Sequence, residues 1–127
     1  MSELGAAIHI DIEPAYRPDE SAPTDKRFVF SYTITLHNHS AHTVQLLARY
    51  WKITQGNGKV QEVRGKGVVG EQPVIAPGQN FRYTSRAVLE SPVGVMEGAY
   101  TCIETATQQP FDVAIAPFRL AGPNQVH

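Results

Sequence analysis

The string Gly65-Lys66-Gly67-Val68-Val69-Gly70 has the spacing of a glycine-rich phosphate loop. In that chemistry a strand leads into the glycines and a helix follows them. The helix N-terminus then supplies the amide hydrogens and the dipole that hold a pyrophosphate. Here Glu71, Gln72 and Pro73 follow, then Val74-Ile75-Ala76-Pro77-Gly78. Pro73, Pro77 and the turn at Gly78 leave no room for a helix, and no Gly-Lys-Ser or Gly-Lys-Thr ends the string. Neither dinucleotide nor Walker-type binding is expected. Two readings stay open. Amides of Gly65, Gly67 and Gly70, flanked by Arg64 and Lys66, can form an anion nest for a phosphate or a pyrophosphate-bearing nucleotide. The preferred reading is structural, with the glycines serving bulges and close approach between strands.

The histidines are the second candidate. His37 and His39 are two apart, so on a strand they share a face, and His42 lies just beyond. Imidazoles at this spacing can hold Co²⁺, Ni²⁺ or Zn²⁺. His9, Asp11 and Glu13 also share one strand face and are hard-to-borderline ligands. The simpler account makes the first group a polar strand end with its turn, and the second a solvated outer face. No His-Glu-x-x-His and no cysteine pair closes a ligand set, so no cofactor is expected.

Nucleophilic chemistry finds little support. The one cysteine, Cys102, sits in the apolar run Ala99-Tyr100-Thr101-Cys102-Ile103, where a small core residue is expected. It forms no internal disulfide, and no neighbouring base marks it as reactive. There is no Gly-x-Ser-x-Gly elbow. No catalytic residue, and no enzyme, is read from the chain. Trp51 and the other aromatic residues fall at strand spacing and read as core. Single-strand nucleic-acid binding would need a basic groove as well.

The elements that position these residues are strands. The chain has 127 residues, 42% hydrophobic and 18% charged, with a net charge of −1. That suits one globular domain with a core and gives no overall field for nucleic acid or anionic lipid. No basic-then-apolar opening and no run of 18 apolar residues is present, so neither a signal peptide nor membrane insertion is expected. The lone thiol fits a reducing, cytoplasmic setting.

Period-two alternation dominates. Phe28, Phe30, Tyr32, Ile34 and Leu36 share one face. Ile8, Ile10 and Ile12 form an earlier strand ending at Pro14. Phe81, Tyr83, Ser85, Ala87 and Leu89 form a later one, and Phe111, Val113 and Ile115 another. Residues 44–54 carry apolar side chains on both phases, which means a strand covered on both faces or one with a bulge that switches phase. Residues 59–64 and 100–105 are further short strands. Gly56-Asn57-Gly58 suits a tight hairpin, and Pro77-Gly78 a type II turn. Residues 17–26 read as a mobile loop and residues 122–127 as a tail, around a core of about 8–120. No convincing helical period appears. Seven or eight strands in this length predict an all-β, antiparallel two-sheet sandwich. It is expected to be fibronectin type III or immunoglobulin-like without a disulfide, the fibronectin arrangement being preferred and a closed barrel the alternative.

Taken together, Arg49-Tyr50-Trp51-x-Ile53-Thr54-x-Gly56-Asn57-Gly58, Val63-x-Gly65-x-Gly67-Val68-Val69-Gly70-Glu71-Gln72-Pro73, Ile75-Ala76-Pro77-Gly78, Tyr83-Thr84-Ser85 and Phe118-Arg119-Leu120-Ala121 closely resemble the ApaG (CorD) proteins of bacteria. The likeness runs from about Ile8 to Leu120. It implies a fibronectin type III-like sandwich in the cytoplasm and a link to cobalt resistance and Co²⁺/Mg²⁺ efflux. Similar eukaryotic domains look like interaction modules. The family offers no agreed catalytic residues. Its pyrophosphate proposal maps onto Gly65, Gly67 and Gly70. The departure is at residues 105–109, where Thr105-Ala106-Thr107-Gln108-Gln109 replaces a more acidic turn. The expectation is a non-enzymatic protein-interaction module with an unidentified protein partner, acting as a monomer or weak homodimer. A small-ligand binder is the alternative. The standing of Arg49 and Trp51 turns on geometry: a buried, paired Arg49 is structural, and an exposed one beside the glycines marks a site.

Overall fold

A computed structural model describes residues 3–123. A single helical turn, α1 (Glu3–Ala6), precedes eight strands: β1 (Ile8–Tyr16), β2 (Phe28–Asn38), β3 (Val44–Gln55), β4 (Val60–Lys66), β5 (Val74–Ile75), β6 (Asn80–Leu89), β7 (Val93–Glu104) and β8 (Pro110–Ala121). They form two antiparallel sheets. One has the order β1-β2-β6. The other has the order β4-β3-β7-β8, with β5 also pairing β3. This is the all-β sandwich that the alternation predicts, and the free thiol of Cys102 is buried.

The alternating faces of β2 and β6 meet the second sheet as expected. Phe30, Ile34 and Leu36 pack against Leu46, Trp51, Met96, Tyr100 and Leu120 in one core. Trp51 makes edge-on ring contacts with Tyr32 at 5.4 Å, Phe118 at 5.9 Å and Tyr100 at 6.4 Å, so it joins both sheets. The buried hydroxyls of Tyr83 and Tyr100 bond to each other across the same gap.

Two bulges explain what alternation alone does not. In β3 the pairing with β7 shifts between Leu46 and Ala48. Val44 and Leu46 are buried before the shift, and Trp51, Ile53 and Gln55 after it. Of the two readings of residues 44–54, the bulge is therefore the one found. In β8 the shift opposite Met96 and Gly98 leaves Ala116 and Pro117 outside the ladder, so a residue without an amide hydrogen is tolerated mid-strand. The strand expected at 100–105 is the end of a longer β7, and the one expected at 111–115 is the start of a longer β8.

Residues 17–26 fold into two one-turn 3₁₀ helices, Pro18–Glu20 and Pro23–Asp25. Ser21 Oγ accepts from the Val29 amide at 2.8 Å and donates to the Arg17 carbonyl at 2.7 Å. Glu20 pairs with Arg86 of β6 at 2.8 Å. Of the expected tail, the Gly122 amide donates to the Pro92 carbonyl at 2.7 Å, and residues 124–127 lie outside the described residues.

Gly98 marks the tightest approach between β3 and β7. A Cβ there would fall 1.9 Å from the Tyr50 carbonyl oxygen and 3.2 Å from Trp51 Cα. Both are backbone, so neither can swing away. The Gly98→Ala variant is expected to lose about 3 kcal/mol of stability, measured as a lower urea midpoint with an unchanged slope.

Candidate functional site

The sandwich closes on one side, where β1 lies against β8. On the other side β4 and β6 are both sheet edges, and the space between them is not filled. Register puts Gln61, Val63 and Gly65 of β4 beside Ile53, Trp51 and Arg49 of β3. Opposite them β6 turns Tyr83, Ser85 and Ala87 inward. Gly65, Ser85 and Ala87 are small, which leaves two adjoining cavities of about 290 and 260 Å³. Tyr32, Arg49, Trp51 and Ser85 border both.

Arg49 organises this cleft. Its guanidinium lies on Gly65, where any Cβ would sit 2.8 Å from Cζ and both Nη atoms. Nη1 donates to the carbonyls of Lys66 at 3.1 Å and Gly67 at 2.8 Å. The Gly67 amide donates to the Leu47 carbonyl at 2.7 Å. Val68 and Glu71 then exchange both backbone bonds, at 2.8 and 2.9 Å. Val69 and Gly70 between them have φ of 43° and 81°, the positive pair of a type I′ hairpin turn. Val69 is β-branched in a left-handed conformation, an uncommon arrangement, and it is half-exposed at the tip.

The glycine string is thus the end of a strand and a tight turn, with no helix behind it. Of the amides named for a nest, that of Gly67 is bonded to a carbonyl, as are those of Val68 and Glu71 on either side of the turn. Lys66 and Gly70 border the second cavity with Arg49. Arg64 points away, with Cζ 4.3 Å from the centre of the Tyr50 ring.

The side chains around Arg49 include the hydroxyls of Tyr32 and Ser85. Burial pushes the Tyr32 phenol up, while its bond to Ser85 and the Arg49 charge act the other way. Burial also raises Tyr83, against the effect of its bond to Tyr100. Trp51 Nε1 is buried and has no hydrogen-bond partner among the described residues. Neither cavity is bordered by an aspartate or a glutamate. Arg49 therefore fits neither simple alternative: it is half-buried, bonded to backbone, and without a carboxylate partner among the described residues.

The histidines divide differently from their sequence grouping. His37 and His39 stack with centres 5.9 Å apart and planes 7° apart. His9 joins them from β1, at 5.9 and 6.2 Å, because register sets His9 opposite His37. Asp11 pairs with His37 Nε2 at 2.9 Å and His9 Nε2 at 3.0 Å. These bonds, that to His37 first, hold its carboxyl below the usual range. Glu13 instead pairs with Arg82 at 3.2 Å. His42 lies apart, with Nδ1 3.3 Å from Glu104. Asn38 fixes this loop, donating to the carbonyls of His42 at 2.8 Å and Ile75 at 2.9 Å. His37, His39 and His42 are thus not brought together, and among the described residues no His, Cys, Asp or Glu group has an arrangement suited to a metal.

Sequence reasoning missed Tyr32, Ser85 and Arg86 as neighbours of Arg49. The available signal was the drop in side-chain size along β6, from Phe81 and Tyr83 to Ser85 and Ala87.

A family model described as the ApaG domain matches residues 18–104. Protein ApaG of Chromohalobacter salexigens is 70% identical over 127 residues, covering all of both chains. Protein ApaG of Pectobacterium atrosepticum is 51% identical over 120 residues, 94% of this chain and 95% of its own. A crystal structure described as that of an ApaA protein of Bordetella pertussis superposes with a TM-score of 0.88 at 44% identity, covering 92% of this chain and 94% of that one.

Cys102 is the remaining group with chemistry of its own. It is 2% exposed, and burial pushes its thiol up to about 12, the Asp112 carboxylate adding to the shift. At about pH 8 the thiolate fraction is on the order of 10³-fold below that of a free cysteine. Alkylation of the native protein by iodoacetamide should be slower than that of the urea-unfolded chain by at least this factor, read by intact-mass spectrometry.

Proposed function

The chain belongs to the ApaG family, and we propose that it is a non-enzymatic module that binds another protein through the open side of its sandwich. One observation carries this reading. Two strand edges, β4 and β6, border the same cleft, and unpaired edges are templates for an added strand. Exposed apolar side chains mark the same region: Val60 on β4 is 55% exposed, Val88 on β6 48% and Val69 at the turn 53%. Half-exposed valines beside free edges lower the cost of desolvation when a partner docks. The opposite side, with β1 against β8, has less room for an incoming strand.

On this reading the module works in the cytoplasm, and the family's link to cobalt resistance and Co²⁺/Mg²⁺ efflux runs through the partner. The small-ligand alternative has one observation in its favour, the position of Lys66 and Gly70 at the Arg49 cavity. A pyrophosphate-bearing nucleotide would enter there. For a divalent metal at His37, His39 and His42, no arranged group of three ligands supports the reading among the described residues.

A benzophenone amino acid in place of Val60, Val88 or the exposed Asp112 of β8 separates these surfaces. Irradiation in the native cytosol should yield the same crosslinked protein from positions 60 and 88, and none from 112. Reproducible absence of adducts at 60 and 88, or equal yield from 112, would remove the reading.

A further inference from the structure

We propose that the Arg49 cleft is a receptor for a carboxylate, presented as an aspartate or glutamate side chain on an extended segment of the partner protein. The inference rests on the interaction-module reading and adds the chemistry that the partner must carry.

Charge is the first argument. Arg49, Lys66 and Arg86 border the two cavities, and no acidic residue does. Arg86 is already held by Glu20, through Nε at 2.8 Å and Nη2 at 3.1 Å. Arg49 has no counterion among the described residues. A partly buried guanidinium without one is costly, and an entering carboxylate relieves that cost.

Geometry is the second. Both bonds from Nη1 go to carbonyls, of Lys66 and Gly67. They leave the Nε–Nη2 edge as a fork, and a fork of this kind takes a carboxylate in two parallel bonds. The guanidinium is fixed in advance by those carbonyls and by Gly65 beneath it, so little freedom is lost on binding. The hydroxyls of Tyr32 and Ser85 border the same space. So does the indole of Trp51.

Arg49 and Lys66 both border the second cavity without an ion partner among the described residues, so charge alone admits either a carboxylate or a phosphate. Room favours the carboxylate: the adjoining cavities, of about 290 and 260 Å³, are each small for an independent small-molecule site and accommodate one side chain. Their position between two free edges gives the chain bearing that side chain a strand to pair with. Alternation then sends one side chain into the cleft and its neighbours outward.

Trp51 is the only tryptophan, so its emission reports occupancy. The probes are a blocked Val-Thr-Glu-Thr-Val peptide, the same peptide with Gln for Glu, sodium acetate and pyrophosphate. The Glu peptide should change Trp51 emission saturably and shift the amides of Gly65 and Ser85. The Gln peptide should bind at least about tenfold more weakly. Arg49→Gln should lose about tenfold in affinity and Arg49→Lys should recover part of it. Because Arg49 also holds the glycine turn, Ser85→Leu is the second variant. It fills the cleft without touching the Arg49 bonds and should abolish binding, with amide dispersion and urea midpoint reporting that the fold is intact.

Equal affinity for the Glu and Gln peptides would overturn the proposal, as would shifts confined to other surfaces. Acetate binding as tightly as the peptide would assign the site to free carboxylates, and pyrophosphate displacing the peptide would assign it to phosphates; either excludes the proposed occupant. No response to any probe at about 10 mM would refute the carboxylate while leaving partner crosslinks at positions 60 and 88 to stand. Peptide binding without those crosslinks would instead refute the module reading.

Discussion

One extra residue in β3 decides which side chains enter the sandwich. Because a strand alternates with a period of two, inserting a residue exchanges its faces. Leu47 is that insertion. Leu46 opposes Cys102 and Ala48 opposes Thr101, so Leu47 has no partner on β7. Before it the even-numbered Val44 and Leu46 face inward, and after it the odd-numbered Trp51, Ile53 and Gln55 do. Were Leu47 taken into a regular ladder instead of bulged out, Tyr50 and Lys52 would be directed into the core, and Lys52 would meet a desolvation cost that no described carboxylate offsets. The same shift puts Arg49, which pairs with Gly65 of β4, on the face that carries Trp51 and Ile53. Core packing at Trp51 and the polar cleft at Arg49 are two consequences of one register change.

That change also accounts for the glycine string. Arg49 needs the space above Gly65, and a side chain there would collide with the guanidinium. Gly67 has a φ of 64° and passes so near Glu71, the bridge partner of Val68, that a Cβ would lie 2.2 Å from the Glu71 carbonyl oxygen. Gly70 completes the turn with φ of 81°. Each glycine answers a local steric demand. The letters match a dinucleotide fingerprint because tight turns and close approach call for the same residue in both settings. What separates them is the element that follows, and Pro73 and Pro77 announce that it is not a helix.

Where side chains alternate on a regular ladder, the sequence could be read directly. Phe28 to Leu36 and Phe81 to Leu89 mapped onto β2 and β6, and the two phases of residues 44–54 left a bulge as one of two readings. The beginning of β7 was illegible because Gly94 and Gly98 interrupt its pattern. Those glycines exist for contacts with other strands: Gly94 lies against Thr54 and Leu89, and Gly98 against Tyr50. The end of β8 was hidden by Pro117, which within a strand is confined to an edge or a bulge and here lies in a bulge of edge strand β8. Similarly, His9 could not be joined to His37 and His39 before the β1–β2 register was known. Tertiary pairing supplied the missing information in each case.

The cleft itself was the least legible feature, because it depends on two strands that do not pair. β4 and β6 are distant in the sheet order and meet only across the opening between sheets. Protein interiors are close-packed, and a gap lined by removable small residues is readily filled. Larger side chains at Ser85 and Ala87 would bury more apolar surface and close this edge as β1 and β8 close the other. The observed residues do the reverse: they leave open space beside a guanidinium that has no counterion among the described residues. Natural chains retain such local costs where binding depends on them. Unfilled space and an unpaired guanidinium coincide at Arg49, and that coincidence, more than the size of the cavity, distinguishes the cleft from ordinary imperfect packing.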